Sequence, residues 1–255
     1  MVSGRRWLRD LAPGRPGSPR LICLPHAGGG ASAFHPWRTL ATDVTVSAVQ
    51  LPGREDRFVE DRLTDVDTAA RIVADRISAE SPGAYALFGH SLGALLAFEA
   101  ARHLCAAGAP PLAVYVAGQA APHLHPPADM YAAPDDELIA YLRSLGGIRD
   151  EVFDSPELLA LLLPIIRADL QMSDTYVYRD GAALPCPLRA LHGEDDNSVS
   201  KADTLGWAEH SSDGFRFESF AGDHFFITQQ AEQVLGWVRD DLQNAQRSAL
   251  TPPSG

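Results

Sequence analysis

Short, nearly continuous apolar runs alternate along the chain with longer stretches in which apolar positions recur every three or four residues. The short runs fall at 20–24, 44–50, 85–89, 112–117, 188–192 and 215–220. Several are apolar throughout, the pattern of parallel strands covered on both faces. The longer stretches, at 68–78, 92–106, around 201–210 and at 226–242, carry helical periodicity. Strand and helix in turn predict an α/β architecture, a mainly parallel central sheet flanked by helices.

One connection breaks this rhythm. Between 122 and 185 no clear strand occurs. One helix is expected to open at Pro134-Asp135-Asp136-Glu137, with Leu138, Leu142 and Leu145 on one stripe and Gly146-Gly147 ending it. A second opens at Ser155-Pro156-Glu157, where serine can cap and proline suits the first turn. Its leucines and isoleucines from Leu158 to Ile166 lie nearly all round, so it is expected to bury more than one face, as a helical lid over an apolar chamber does. The expected organisation is a loose lead-in over 1–18, one domain over 19–243 with the lid insertion at about 122–185, and a disordered tail over 244–255.

Composition narrows the class. A chain of 255 residues, 45% hydrophobic and 21% charged, can bury a full core without covalent staples. Its three cysteines, Cys23, Cys105 and Cys186, are odd in number and widely spaced, which argues against a disulfide framework and for a reducing compartment. The arginine-rich start lacks the apolar stretch of a secretion signal, and no apolar run is long enough to span a bilayer. A cytoplasmic protein without a membrane partner is expected. A formal charge of −12 repels polyphosphate and argues against nucleic acid.

The candidate chemistry centres on Gly89-His90-Ser91-Leu92-Gly93. This G-x-S-x-G follows an apolar run and opens a helical one, the context of a nucleophile elbow and of the α/β-hydrolase fold. Ser91 needs a base and an orienting acid, which in this arrangement follow in the order Ser, Asp, His. His224, in Ala221-Gly222-Asp223-His224, sits between the last strand and the last helix and is the expected base. His210 is expected to be a solvated surface residue. The acid should follow the preceding strand, where Glu194, Asp195 and Asp196 stand in a row and chemistry alone does not choose among them. The glycine-rich loop Leu24-Pro25-His26-Ala27-Gly28-Gly29-Gly30 can lend the Ala27 N–H to an oxyanion hole beside that of Leu92. It carries neither a phosphate-binding Lys-Ser/Thr nor a G-x-G-x-x-G, and His123-x-His125 lacks a third metal ligand at useful spacing.

Taken together, Leu24-Pro25-His26-Ala27-Gly28-Gly29, Leu51-Pro52-Gly53-Arg54-Glu55-Asp56-Arg57, the Ser91 elbow and Gly222-Asp223-His224-Phe225-Phe226 resemble the type II thioesterases of polyketide and nonribosomal-peptide synthesis. Tyr141-Leu142-Arg143, Pro164-Ile165-Ile166-Arg167-Ala168-Asp169-Leu170 and Gly193-Glu194-Asp195-Asp196 extend the likeness, which runs from about Arg20 to Leu242. The resemblance implies an α/β-hydrolase with a helical lid that hydrolyses aberrant or stalled acyl groups from the phosphopantetheine arm of acyl or peptidyl carrier proteins. It implies Asp196 as the acid, Asn197 standing where the family commonly has proline. No metal or organic cofactor is implied, since the phosphopantetheine belongs to the substrate. An esterase acting on free small-molecule esters, and a catalytically idle scaffold of a synthase assembly, are the alternatives.

Overall fold

The computed structural model describes residues 6–41, 43–81 and 83–250, with side chains through Arg247. Its seven strands form one sheet: β1 (Leu8–Ala12), β2 (Arg20–Leu24), β3 (Thr45–Val49), β4 (Tyr85–His90), β5 (Val114–Ala117), β6 (Leu188–Gly193) and β7 (Phe215–Phe220). The order across the sheet is β1-β3-β2-β4-β5-β6-β7, parallel throughout except for β1, which pairs antiparallel with β3. Side chains that alternate along β2 enter different cores. Ile22 and Leu24 pack beneath α1 (Val66–Glu80) and α2 (Leu92–Ala106), while Leu21 and Cys23 face Phe34 and Trp37 on the other side. Burial pushes the Cys23 thiol well up, which suits an inert core residue.

The insertion holds α3 (Asp135–Leu145), α4 (Asp150–Phe153) and α5 (Pro156–Asp174). Asp65 caps α1 by accepting from Thr68 N–H, and Ser155 caps α5 by accepting from Leu158 N–H, with Pro156 in the first turn. After the insertion come α6 (Lys201–Leu205), α7 (Phe226–Gln229) and α8 (Ala231–Leu250). The insertion has its own small core, where Leu138 and Leu142 of α3 meet Leu163, Ile166 and Leu170 of α5.

The structure departs from the sequence expectations at three places. Residues 8–12 are not a loose lead-in but an edge strand, whose charges are spoken for: Arg9 pairs with Asp56, and Asp10 with Arg20 and Ser47. Charged residues of this kind are usual at a sheet edge and leave little hydrophobic signal. The stretch after Gln243 continues α8 to Leu250, because alanine, glutamine and arginine extend a helix without burying a face. Residues 1–5 of the lead-in and 251–255 of the tail lie outside the described residues. Finally, α5 does not bury all its leucines. Leu158 and Leu161 on its first half are 47% and 52% exposed, and full burial begins at Leu163.

Among the described residues no helix is long and apolar enough to cross a membrane. The sheet order changes direction between β2 and β4, since β3 lies on one side of this pair and β5 on the other. Ligands in open α/β sheets bind at such a switch point, beyond the carboxyl ends of the strands. The loops leaving β2 and β4 there carry Ala27 and Ser91.

Candidate active site

Ser91 joins β4 to α2 with φ 56 and ψ −124, and it shares positive φ with Glu55 alone among the described non-glycine residues. A side chain in this region is strained and must be held by its surroundings. Here β4 runs straight into α2, and the turn leaves no room on either flank. A Cβ on Gly89 would strike the Gly93 carbonyl, and a Cβ on Gly93 would strike the Leu24 carbonyl. Both glycines are therefore required by close backbone approach. The Ser91 N–H donates to Ala117 O at 2.8 Å, which ties the elbow to β5.

His224 and Asp196 leave the ends of β7 and β6 and meet side by side. The His224 Nδ1–H donates to Asp196 Oδ2 at 2.9 Å, both side chains being buried. That bond fixes the tautomer and leaves Nε2 as the ring's basic nitrogen. Burial alone would raise the Asp196 carboxyl. The hydrogen bond and charge of His224, with the Ser198 hydroxyl and N–H, outweigh it and hold Asp196 at about 2. The neighbouring Glu194 and Asp195 are exposed and take no part in this contact.

Ser198 is a member that the sequence reading missed. Its hydroxyl donates to Asp196 Oδ1 at 2.6 Å, and its oxygen lies 2.9 Å from His224 Nδ1 as a second acceptor. The Ser198 N–H also donates to Asp196 Oδ1, at 2.8 Å. The signal was present as Asp196-Asn197-Ser198, since an aspartate that bonds the backbone two residues on makes a local turn. This turn forms with Asn197 at its second position.

His90 props the backbone of His224. It is fully buried, and its Nε2 lies 2.7 Å from the His224 carbonyl oxygen, so the proton sits on Nε2. Burial, together with the charges of His224 and His26, pushes its pKa well down, and the ring stays neutral. Gly118, at φ +59, packs beneath the two rings where a Cβ would press on both.

Ser91 and His224 line one cavity of about 430 Å³, together with Ala27, Leu92, Ser198, His26 and the lid residues Leu142, Leu162, Ile166 and Leu170. The structure has no hydrogen bond between Ser91 and the imidazole, a looseness common in sites without substrate. Neither the Ala27 N–H nor the Leu92 N–H has an acceptor among the described residues. Leu92 is the first residue of α2, where an N–H has no partner within the helix and the dipole favours negative charge. The expected site residues Ser91, His224, Ala27 and Leu92 thus share a wall, with Asp196 behind His224.

Other histidines are differently placed than expected. His210 is 5% exposed, not solvated, and its Nε2 lies 2.8 Å from His123 Nδ1. His125 instead reaches Ser173 O, so the two histidines of His123-x-His125 point to different partners. Among the described residues no group of three or more His, Cys, Asp or Glu could hold a metal ion.

Comparison with known proteins shows the family. A thioesterase domain model matches residues 19–242. Thioesterase PikA5 of Streptomyces venezuelae is 37% identical over 94% of this chain and 87% of its own. Linear gramicidin dehydrogenase LgrE of Brevibacillus parabrevis, whose name states a different reaction, is 35% identical over 95% of both chains. The type II thioesterase BorB from the borrelidin biosynthetic cluster superposes with a TM-score of 0.86, at 41% identity over 92% of this chain and 97% of its own. The chain belongs to the thioesterase domain family, and it is a hydrolase of thioesters.

Proposed function

We propose that the chain is a type II thioesterase that removes aberrant or stalled acyl groups from the phosphopantetheine arm of acyl or peptidyl carrier proteins, by a Ser91–His224–Asp196 acyl-enzyme mechanism. The carrying observation is the His224–Asp196 hydrogen bond, which leaves a basic Nε2 in the mainly apolar cavity that Ser91 and two unpartnered N–H groups share. His224 Nε2 takes the Ser91 proton as Oγ bonds to the thioester carbonyl carbon. The Ala27 and Leu92 N–H groups receive the oxyanion. The C–S bond then breaks and the pantetheine sulfur leaves with the proton from His224. Water, deprotonated by His224, attacks the acyl-serine carbonyl; the ester bond breaks, the acid departs and Ser91 recovers its proton. Every proton is held by His224 in turn, so this sequence of steps needs neither metal nor organic cofactor.

The carrier must stay outside while its arm enters. Of the arginines that could meet an acidic carrier, several are engaged already. Arg54 and Arg57 are buried against Asp169 and Glu60, Arg143 pairs with Asp150 and Arg167 with Asp135. Arg149 is exposed and lines the cavity, and its guanidinium has no hydrogen-bond or ion-pair partner among the described residues, which leaves this cation available to an incoming carrier. Arg149→Glu is expected to lower kcat/KM on acyl-carrier protein several-fold at low salt, with little effect on the matching acyl-pantetheine thioester. Equal turnover of both substrates by wild-type protein at every salt concentration would favour the free-ester reading instead.

A further inference from the structure

Arg54 and Asp169 form a two-pronged ion pair, Nη1 to Oδ2 at 2.5 Å and Nη2 to Oδ1 at 2.7 Å. Arg54 is 2% exposed and Asp169 is 0% exposed. Neither lines the cavity, and neither touches Ser91, His224 or Asp196. What they touch is the loop that carries Ala27. Asp169 Oδ2 accepts from the Gly28 N–H at 2.7 Å, and Arg54 Nη1 donates to the Gly29 carbonyl at 3.0 Å. The two residues after Ala27 are thus pinned through a donor and an acceptor, while the Ala27 N–H is left free. One turn before Asp169, Ile166 packs on Gly28, whose φ of +80 turns it so closely onto α5 that a Cβ there would collide with Ile166.

Asp169 belongs to α5, a lid helix, and Arg54 to the loop after β3. The loop after β2 is therefore held jointly by the sheet and by the lid. Pro164 divides α5 and removes a backbone donor there, separating the half with exposed Leu158 and Leu161 from the buried half with Ile166 and Asp169.

We infer that Arg54 and Asp169 are positioning residues for the oxyanion hole: they orient the Ala27 peptide by clamping Gly28 and Gly29, and they complete the hole only while the second half of α5 is seated. This rests on the reading of Ser91 and Ala27 given above. A lid that opens by moving its first half leaves the hole intact. A lid that lifts Asp169 dismantles it, so an unseated lid cannot hydrolyse a bound thioester.

The test removes the clamp without stranding a buried charge, because loss of one partner alone leaves the other ion unpaired. Arg54→Met/Asp169→Leu replaces the pair by apolar groups. Arg54→Met/Asp169→Asn differs from it in keeping an oxygen that can accept from Gly28 N–H. The first is expected to lower kcat about 10- to 100-fold with KM within about threefold of wild type, the size of loss that a small misplacement produces. Its pH profile of kcat/KM should keep the wild-type inflection, because His224 and Asp196 are untouched. The asparagine variant should recover a substantial part of kcat, which a merely structural pair would not explain. Wild-type kcat in the leucine variant, or no recovery in the asparagine variant, overturns the inference. If both double variants fail to fold, Arg54→Lys, which keeps a cation beside Asp169 but loses the two-pronged bond, is assayed where circular dichroism shows it folded: a kcat loss at steady KM supports the clamp, and unchanged kcat overturns it. Ser91→Ala assayed alongside separates the two levels of the reading. If it stays active the site itself is wrongly assigned, whereas an inactive Ser91→Ala beside a fully active double variant overturns the clamp alone.

Discussion

At the scale of single residues, the proposed site rests on three side chains whose loops come from three different strands. Ser91→Ala or His224→Ala is expected to lower kcat by about 10⁴-fold or more, because nucleophile and base act as a unit. The acid offers a sharper comparison. Asp196 is buried against His224 and held at about 2, so it is ionised wherever the enzyme works, whereas Asp195 is exposed one residue away. Asp196→Asn should therefore be far more damaging to kcat than Asp195→Asn, and equal losses would show that the wrong carboxylate is assigned. Ser198→Ala removes one hydrogen bond to a charged group and should cost about 10-fold in kcat, with the protein still folded. The positions of Ser91, of His224 and of the row of three acidic residues were legible in the sequence, because a G-x-S-x-G between strand and helix has a steric cause and the strand order restricts what can follow. Ser198, the His90 prop and the Arg54–Asp169 pair were not legible as such. Their partners lie far off in the chain or depend on how a short turn closes, and hydrophobic periodicity carries no trace of either.

Among the elements, α5 separates two roles along its length. Its second half packs on the loop after β2, and Ile166 and Leu170 there line the cavity with Leu162 from just before Pro164. Its first half turns Leu158 and Leu161 to solvent. A bulky Leu162→Trp should then shorten the acyl chain that is hydrolysed best while changing the melting temperature little, since a cavity wall has room that a packed core lacks. Leu161→Gln is the control and should leave acyl preference unchanged. A preference that does not move in Leu162→Trp, or moves equally in Leu161→Gln, would show that this cavity does not hold the acyl group. Of the lid's three helices, α3 and α5 were readable from caps and stripes, as was the parallel sheet, while the short α4 was not. The exposure of the first turns of α5 was not, because an all-round apolar pattern tells that a helix is greasy and not which face its neighbours cover. The edge strand β1 escaped for the opposite reason, since two adjacent charged residues, Arg9 and Asp10, break its apolar run.

For the whole molecule, buried neutral histidines couple folding to pH. Burial holds His210 at about 4, with the charge of His123 adding to it, and burial with the charges of His224 and Arg54 holds His26 at about 4. Between that value and the ordinary 6.5 the unfolded chain binds protons that the folded chain refuses. Their contribution is complete above about pH 6.5 and is lost as pH falls toward 4. Asp196, held at about 2, adds its own loss only below about pH 4. His210 stands away from the catalytic residues, so His210→Gln isolates the effect: its melting temperature should fall less than that of wild type between pH 7 and pH 4. Parallel curves would remove this account of acid sensitivity. The proposed function draws on the whole assembly of sheet, lid and loops, and its proposed intermediate is an acyl ester on Ser91. The direct measurement is intact and peptide mass spectrometry of protein quenched during turnover of a slowly hydrolysed acyl-carrier thioester. The account predicts an added acyl mass on the peptide holding Ser91, decaying as free acid appears, and absent in Ser91→Ala. Free acid released at the wild-type rate by Ser91→Ala, or an acyl group found on another residue, would contradict it.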